Sequence, residues 1–297
     1  MSGGATTKPD TVFRRAVESL RHDPLAVVGS VILLVLVIVG VFGEWLAPSG
    51  VNEVDVENML QAPSSSHPFG TDELGRDVLS RVIIAARVSL EVGVVSVGLA
   101  LVAGVAIGLV AGFYRGWVDN ALMRCMDVLF AFPVLLLAVA IVAVLGPGLG
   151  TAMVAIGVVY APIFARVTRA SVLSVREQVY VRAALSIGAS DLRIMRRHVL
   201  PNIAAPLIVQ TSLSLAFAIL SEAALSFLGL GVQPPAPSWG RMLFDGRGFV
   251  TDAWWLGVFP GLAILLTVLA FNLVGDALRD VLDPRQLTLN EARRNSP

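Results

Sequence analysis

Residues 180–202 read YVRAALSIGASDLRIMRRHVLPN, and residues 205–229 read APLIVQTSLSLAFAILSEAALSFLG. The first stretch is basic and helix-forming, broken once by Gly188; the second is an apolar run whose only acid is Glu222. A bilayer core about 30 Å thick needs roughly 20 apolar residues per helix. The second stretch therefore has the length of a membrane span, and the first has the character of its aqueous end. The chain as a whole agrees. Of its 297 residues 56% are hydrophobic and 15% charged, with a mean hydropathy of +0.77, so lipid is the solvent for most of it. Six stretches have the length and character of spans: about 25–46, 89–113, 127–146, 149–168, 205–229 and 255–277. The break between the third and fourth rests on GPGLG at 146–150. These spans predict an all-α integral membrane protein.

Six spans put both termini, the loop at 114–126 and the loop at 169–204 on one side. With Arg166 counted at its span's edge, that side holds all but five of the 22 lysines and arginines; the exceptions are Arg76, Arg81, Arg87, Arg241 and Arg247. The positive-inside rule makes that side the cytoplasm, an N-in/C-in arrangement. The run from Leu25 reads as a retained span rather than a signal peptide, because it ends in Glu44-Trp45-Leu46-Ala47 instead of a small-x-small site. The expected organisation is a cytoplasmic segment at 1–24, a first span plus extracytoplasmic loop at 25–88, a core at 89–279 and a cytoplasmic tail at 280–297. A formal net charge of zero points to no nucleic-acid or acidic partner.

In the long outer loop, Thr71 is expected to cap a helix carrying Asp72 and Glu73 in its first turn. Val78, Leu79, Val82 and Ile83 then share a side, either of a short interfacial helix or of an early start to span two. A second outer segment, LGLGVQPPAPSWGRMLFDG at 228–246, has so much glycine and proline that an irregular path is expected.

Enzyme chemistry finds little support. His22, His67 and His198 form no HExxH pair, no G-x-S-x-G elbow occurs, and Cys125 is the only cysteine. A P-loop needs a lysine to reach nucleotide phosphates, and the only lysine is Lys8, in TKPD. No catalytic residue, metal site or cofactor is assigned to this chain; any ATP would be hydrolysed by another subunit.

Within the spans, Ala100, Gly104, Gly108, Gly112 and Gly116 recur every four residues, a pattern for close helix packing rather than a pore lining. Ser214, Ala218, Glu222 and Ser226 repeat likewise, making a polar stripe on span five. An ionisable group at that depth marks either a functional path or an interhelical hydrogen bond, and Ser214, Glu222 and Ser226 are the candidates for a translocation path. Pro133 and Pro162 are expected to bend spans three and four.

The opening stretch reads as two short helices meeting at an elbow, spanning about 172–201. Helix-forming residues run from Val172 to Ile187, and Gly188 suits a left-handed cap. Ser190 can cap a second helix with Asp191 in its first turn, and Pro201 suits the first turn of span five. Arg193, Arg196 and Arg197 would lie near anionic head groups. On these grounds alone the stretch is either a docking element or an ordinary interfacial helix.

The same stretch resembles the cytoplasmic motif of ABC importer permeases: Glu-Ala-Ala, three residues, Gly, nine residues, Ile-x-Leu-Pro. Ala183, Ala184, Gly188, Leu200 and Pro201 match it, while Arg182 stands at the Glu position and His198 at the Ile position. HPFGTDELGRDVLSRVIIAARVSL (67–90), GFYRGWVDNALMRCMDVLFAFPVLLLA (112–138), SFLGLGVQPPAPSWGRML (226–243) and FPGLAILLTVLAFNLVGDALRDVLDPR (259–285) extend the likeness. They are similar to the dipeptide/oligopeptide/nickel permease family, specifically its second permease subunit.

The resemblance implies a type I ABC importer permease core like that of methionine-importer permeases, multi-pass in the bacterial cytoplasmic (inner) membrane. It implies one half of a heterodimeric channel with a homologous permease, two ABC ATPase subunits that hold ATP and Mg, and an extracytoplasmic substrate-binding protein. Arg182, Ala183, Ala184, Gly188, Ala189, Ser190, Asp191, Leu200 and Pro201 would form the ATPase-coupling elbow. Peptides are the expected cargo, with nickel or another small solute as the alternative. An ion-gradient-driven transporter and a non-transporting scaffold are the rival classes.

Overall fold

The computed structural model describes residues 23–282. The expected cytoplasmic N-terminal segment up to residue 22, with Lys8 and His22, and the tail beyond residue 282 lie outside the described residues. Ten α-helices carry the described fold, and the only β-type pairing there is an isolated bridge between Thr71 and Asp77. Among the described residues five helices are long and apolar enough to cross a membrane, with a sixth span if the bent pair at 116–145 is counted as one.

Helix α1 is Pro24–Leu46. The Asp23 carboxylate accepts from the Leu25 N–H at 2.9 Å, and Pro24 occupies the first turn, where its missing N–H costs nothing. Most of α1 faces outward. It touches the core through glycines: a Cβ on Gly29 would come within 2.8 Å of Leu273, and one on Gly40 within 3.1 Å of Leu90.

Helix α2 is Val78–Tyr114, an unbroken 37 residues. At 1.5 Å per residue it runs about 55 Å, well beyond the hydrocarbon thickness, so its first turns belong to the extracytoplasmic cap. This settles the two readings of 78–88: the segment is the head of span two, not a separate interfacial helix. Its cap is Asp77, not Thr71 as expected. Asp77 Oδ2 accepts from the Ser80 N–H at 2.8 Å and the Ser80 hydroxyl at 2.7 Å, while His67 Nδ1 lies 3.0 Å from Asp77 Oδ1. Thr71 is drawn elsewhere. Its hydroxyl donates to the Asn58 carbonyl at 2.5 Å and accepts from the Gln61 N–H, which stitches the outer loop back on itself. Asp72 serves that loop too, accepting from Arg76 Nε at 2.6 Å and from two backbone N–H groups.

Span three is broken rather than bent. Helix α3 (Gly116–Phe130) and helix α4 (Val134–Leu145) meet at 91° across a break at Pro133, whose ring cannot continue the hydrogen-bond ladder. Helix α5 (Leu149–Arg176) continues through Pro162 without such a break. It packs along α2, and the reason is steric. A Cβ on Gly104 would fall 2.5 Å from Phe164 Cβ, one on Gly108 would overlap the Ala165 carbonyl, and one on Gly112 would fall 2.8 Å from Val172. Gly116 leaves the stripe: it opens α3 with φ +62° and meets no neighbour.

Short helices α6 (Val179–Ser186) and α7 (Asp191–Ile194) form the cytoplasmic turn before α8 (Ala204–Phe227). Helix α9 (Trp239–Gly246) lies inside the Gly- and Pro-rich outer segment, where an irregular path was expected. Ser238 starts it by accepting from the Arg241 N–H at 3.2 Å, and Trp239 anchors it by donating to the Val82 carbonyl at 3.0 Å. Helix α10 (Trp255–Leu282) is the last span, tied to the cap by Trp255 Nε1, which donates to the Thr71 carbonyl at 3.0 Å.

Gly108→Ala is expected to destabilise the protein by about 1–3 kcal/mol, because the new methyl group must push α5 away. Gly98→Ala, on a face with nothing within 4 Å, should not destabilise at all. Thermal unfolding of the two variants in detergent checks the contrast.

Candidate functional site: the cytoplasmic elbow

The elbow begins where α5 ends at Arg176, earlier than the continuous helix from Val172 to Ile187 that was expected. After a turn at Glu177 and Gln178, α6 runs to Ser186 and stops at Gly188, where φ is +75°. The Gly188 N–H bonds to the Leu185 carbonyl at 3.0 Å and the Ala189 N–H reaches back to the Ala184 carbonyl at 3.1 Å. This is a Schellman cap, which satisfies the last carbonyls of α6 and requires a left-handed residue at its hinge. Ser190 sits at the N-cap of α7 with an extended backbone, but its side chain makes no capping bond; only its carbonyl is used, by the Ile194 N–H. A π turn at Met195–Val199 and a 3₁₀ turn at Leu200–Ile203 follow, with Pro201 starting the latter. These stretches carry the helix without a break into α8, so Asp191–Phe227 is one continuous helix of 37 residues.

The two faces of the elbow differ sharply. Val181, Ala184, Ile194, Met195, Val199 and Ile203 are buried, in one apolar cluster with Phe164, Ile156 and Val172 of α5. The other face is open: Val179 is 83% exposed, Ile187 84% and Leu192 64%. Arg182, Ala183, Gly188, Ser190, Asp191, Leu200 and Pro201 are exposed and Ala189 is half-buried. The paired alanines thus divide their work: Ala184 points into the core and Ala183 outward.

Sequence reasoning missed this apolar outer face, although Val179 and Ile187 stand two turns apart on a segment placed in the cytoplasm. It also missed two ion pairs joining α3 to α5 and a third between the residues flanking them, Arg115 and Glu177. Arg169 grips Asp119 with two hydrogen bonds of 2.5 and 2.6 Å, Arg166 binds Asp127 at 2.8 Å, and Arg115 binds Glu177 at 2.5 Å. The Arg115 guanidinium holds the Glu177 carboxyl below the usual carboxylate range. The signal was present as acids in 119–127 and arginines in 166–169, but their partnership spans a long loop closure.

The polar stripe of span five is buried. Ser226 donates to Glu222 Oε1 at 2.7 Å and accepts from the Val232 N–H at 3.0 Å; Gln210 donates to Ser214 at 3.1 Å. Glu222 Oε2 has no hydrogen-bond partner among the described residues. In this conformation Glu222 and Ser226 lie against the 231–240 segment, and no open channel separates them from it. Among the described residues, no group of three or more His, Cys, Asp or Glu is placed to hold a metal ion.

Residues 104–288 match the family described as "Binding-protein-dependent transport system inner membrane component". The chain belongs to this family of inner-membrane transport permeases. Residues 11–63 of the permease also match the "N-terminal TM domain of oligopeptide transport permease C". It is 46% identical over 273 residues to the dipeptide transport system permease protein DppC of Alkalihalophilus pseudofirmus, covering 92% of this chain and 90% of that protein. It is 44% identical over 282 residues to the glutathione transport system permease protein GsiD of Escherichia coli, covering 94% and 93%. An inward-facing structure of the MetNI methionine ABC transporter shares the fold, with a TM-score of 0.57 at 18% identity over 68% of this chain and 96% of that one. The permease is therefore a multi-pass inner-membrane protein with the type I ABC importer architecture.

Gly188→Val is expected to abolish transport while leaving membrane insertion intact, since a β-branched residue resists the left-handed conformation by about 1–2 kcal/mol or more. Gly188→Asn, which tolerates that conformation, should keep most activity. Uptake measured beside the membrane content of each variant decides this; equal uptake by all three proteins would remove the role of the hinge.

Proposed function

We propose that this permease forms one half of the translocation channel of an ATP-driven peptide importer and couples nucleotide hydrolysis in partner subunits to alternating access. The observation that carries the coupling is the two-faced elbow. Its exposed apolar residues offer a docking surface, and its buried face moves with the core of the spans. An apolar knob between two helices and a hinge is a surface for a groove on another protein.

The partners that fit are two ABC ATPase subunits holding ATP and Mg on the cytoplasmic side, a homologous permease completing the channel, and an extracytoplasmic binding protein. This chain would contribute Arg182, Ala183, Gly188, Ala189, Ser190, Asp191, Leu200 and Pro201 to the docking region, with Ala184 securing it from below. Arg182 reverses the charge of the usual glutamate, so the facing groove would carry a compensating acid. The chain itself supplies no cofactor and no covalent chemistry. Ser214, Glu222 and Ser226 are proposed to border the path in the alternate conformation, when α8 and the outer segment separate. The coupling core would occupy 89–279, flanked by the first span with its outer loop and the two terminal segments.

Short peptides are the cargo class that the relatives support: one is named for dipeptides and another for glutathione, itself a tripeptide. Uptake of labelled dipeptide, glutathione, a longer peptide and nickel by cells lacking this chain, with the wild type added back, tests the reading. Loss of a peptide restored by the wild type is the expected result. Loss of nickel alone would overturn the cargo, and uptake unaffected by inactivating the ATPase would overturn the mechanism.

Ile187→Asp places a charge where an apolar groove should close. It is expected to reduce co-purification of the ATPase by about tenfold or more, with insertion unchanged. Undiminished co-purification would show that this face is not the dock.

A further inference from the structure

Helix α1 comes closest to the rest of the molecule at glycines toward its two ends, and between them Leu36 and Val39 pack against the core. At one end Gly29 lies against Leu273 and Ala270 of α10; toward the other, Gly40 and Gly43 lie against Arg87, Leu90 and Ile83 of α2. Between these contacts is a cleft of about 530 Å³, walled by Val35 and Leu36 of α1, Ala86 of α2, Ala263 and Leu266 of α10, and Trp239 of α9. All its walls are Val, Ile, Leu, Ala, Phe or Trp. The one polar side-chain atom among them, Trp239 Nε1, is turned to the Val82 carbonyl. Phe69 and Phe259, stacked at 3.8 Å, line the cleft too, at its extracytoplasmic side.

The depth of the cleft follows from the helices that line it. Its α1 residues run through the middle of a 23-residue span, and its α2 residues are the first two turns below the outer cap. It therefore faces the outer leaflet. Water has no hydrogen-bond partner there, and an empty space of this size would leave the lining atoms without dispersion contacts. No charge is available to hold a polar ligand. A flexible, unbranched hydrocarbon chain is the solute that fills such a cleft, and the surrounding leaflet supplies it at high concentration.

We propose that this cleft is a binding site for one acyl chain of an outer-leaflet phospholipid, seated between α1 and the α2–α10 face. The first span is then joined to the core by its glycine contacts, by Leu36 and Val39, and by a lipid filling the space beside them. The cleft also lies on the seam between the two family matches, since α1 falls in residues 11–63 and α10 in residues 104–288. The lipid would thus fasten an N-terminal span to a transport core, whatever that core carries.

The test uses the permease with its co-purifying partners in phosphatidylethanolamine–phosphatidylglycerol vesicles, doped with a phospholipid bearing a photoactivatable diazirine on its acyl chain. After irradiation, adducts are mapped by mass spectrometry. Adducts at Val35, Leu36 and Leu266 should exceed those at the outward-facing Leu34 and Val102 several-fold. Ala263→Phe, which fills the cleft from α10, should lower the cleft adducts several-fold and leave the others unchanged; Val31→Phe does the same from α1 should the first variant fail to fold. Even labelling of all membrane-facing residues, or labelling untouched by a folded filling variant, overturns the site. A free fatty-acid probe that labels the cleft where the phospholipid does not would overturn the leaflet as the source.

Discussion

Three glycines on one face of α2 set how closely α2 and α5 approach, and the position of everything on the cytoplasmic side follows from that approach. Gly104, Gly108 and Gly112 place the α5 backbone where any side chain would stand. In a bilayer no hydrophobic gain separates helix–helix from helix–lipid contact, so close backbone packing is what makes the pairing specific. With α5 fixed, Arg166 and Arg169 meet Asp127 and Asp119, and α3 is held beside the stem that leads to the elbow. The ion pairs are partly exposed and contribute modestly to stability. Their larger effect is geometric, since the bidentate Arg169–Asp119 pair fixes the direction in which α3 leaves α2.

The elbow inherits that rigidity. Its inner face shares an apolar cluster with α5, so a displacement of the outer face cannot be absorbed within the turn itself. The Schellman cap at Gly188 fixes the one joint, and from Asp191 the helix runs on unbroken through the π and 3₁₀ stretches into α8. Helix α8 continues directly from this unit and ends against the outer segment.

How much of this was legible in the sequence depends on the range of the forces involved. Spans one, two, four, five and six could be read from composition because lipid imposes length and apolarity locally. Gly188 could be read because its φ is decided within one turn, and the glycine stripe because its period is helical. Thr71 could not. Thr71 and Asp77 are both sound capping residues, and the choice of Asp77 was made by Asn58 and Gln61, which claim the Thr71 hydroxyl from more than nine residues away. Helix α9 was hidden for a similar reason: its formation rests on Trp239 reaching Val82 across the fold, which no window over PPAPSWG reveals. The break in span three was signalled by Pro133, but its 91° angle depends on how α3 and α4 each pack in the fold, which no local window reveals. Among the elbow residues, the motif positions were visible and the apolar outer face was not, because exposure is a property of the folded surface.

Helix α8 is where the two ends of the molecule meet. At the cytoplasmic end it continues the elbow, and toward its outer end Ser221, next to Glu222, meets Tyr160 of α5 at 3.1 Å. At the outer end Glu222 and Ser226 grip the segment that carries α9: Ser226 bonds to Val232, and Gly240 lies so close to Ala223 that a Cβ would be 2.6 Å from its Cα. A rotation of α8 large enough to open that seam would expose the Glu222 carboxylate, whose second oxygen is unpartnered in the closed arrangement. That seam is closed by the Ser226–Val232 hydrogen bond and by the close approach of Gly240 to Ala223, so the helix that leaves the elbow is the same helix that holds the outer segment in place.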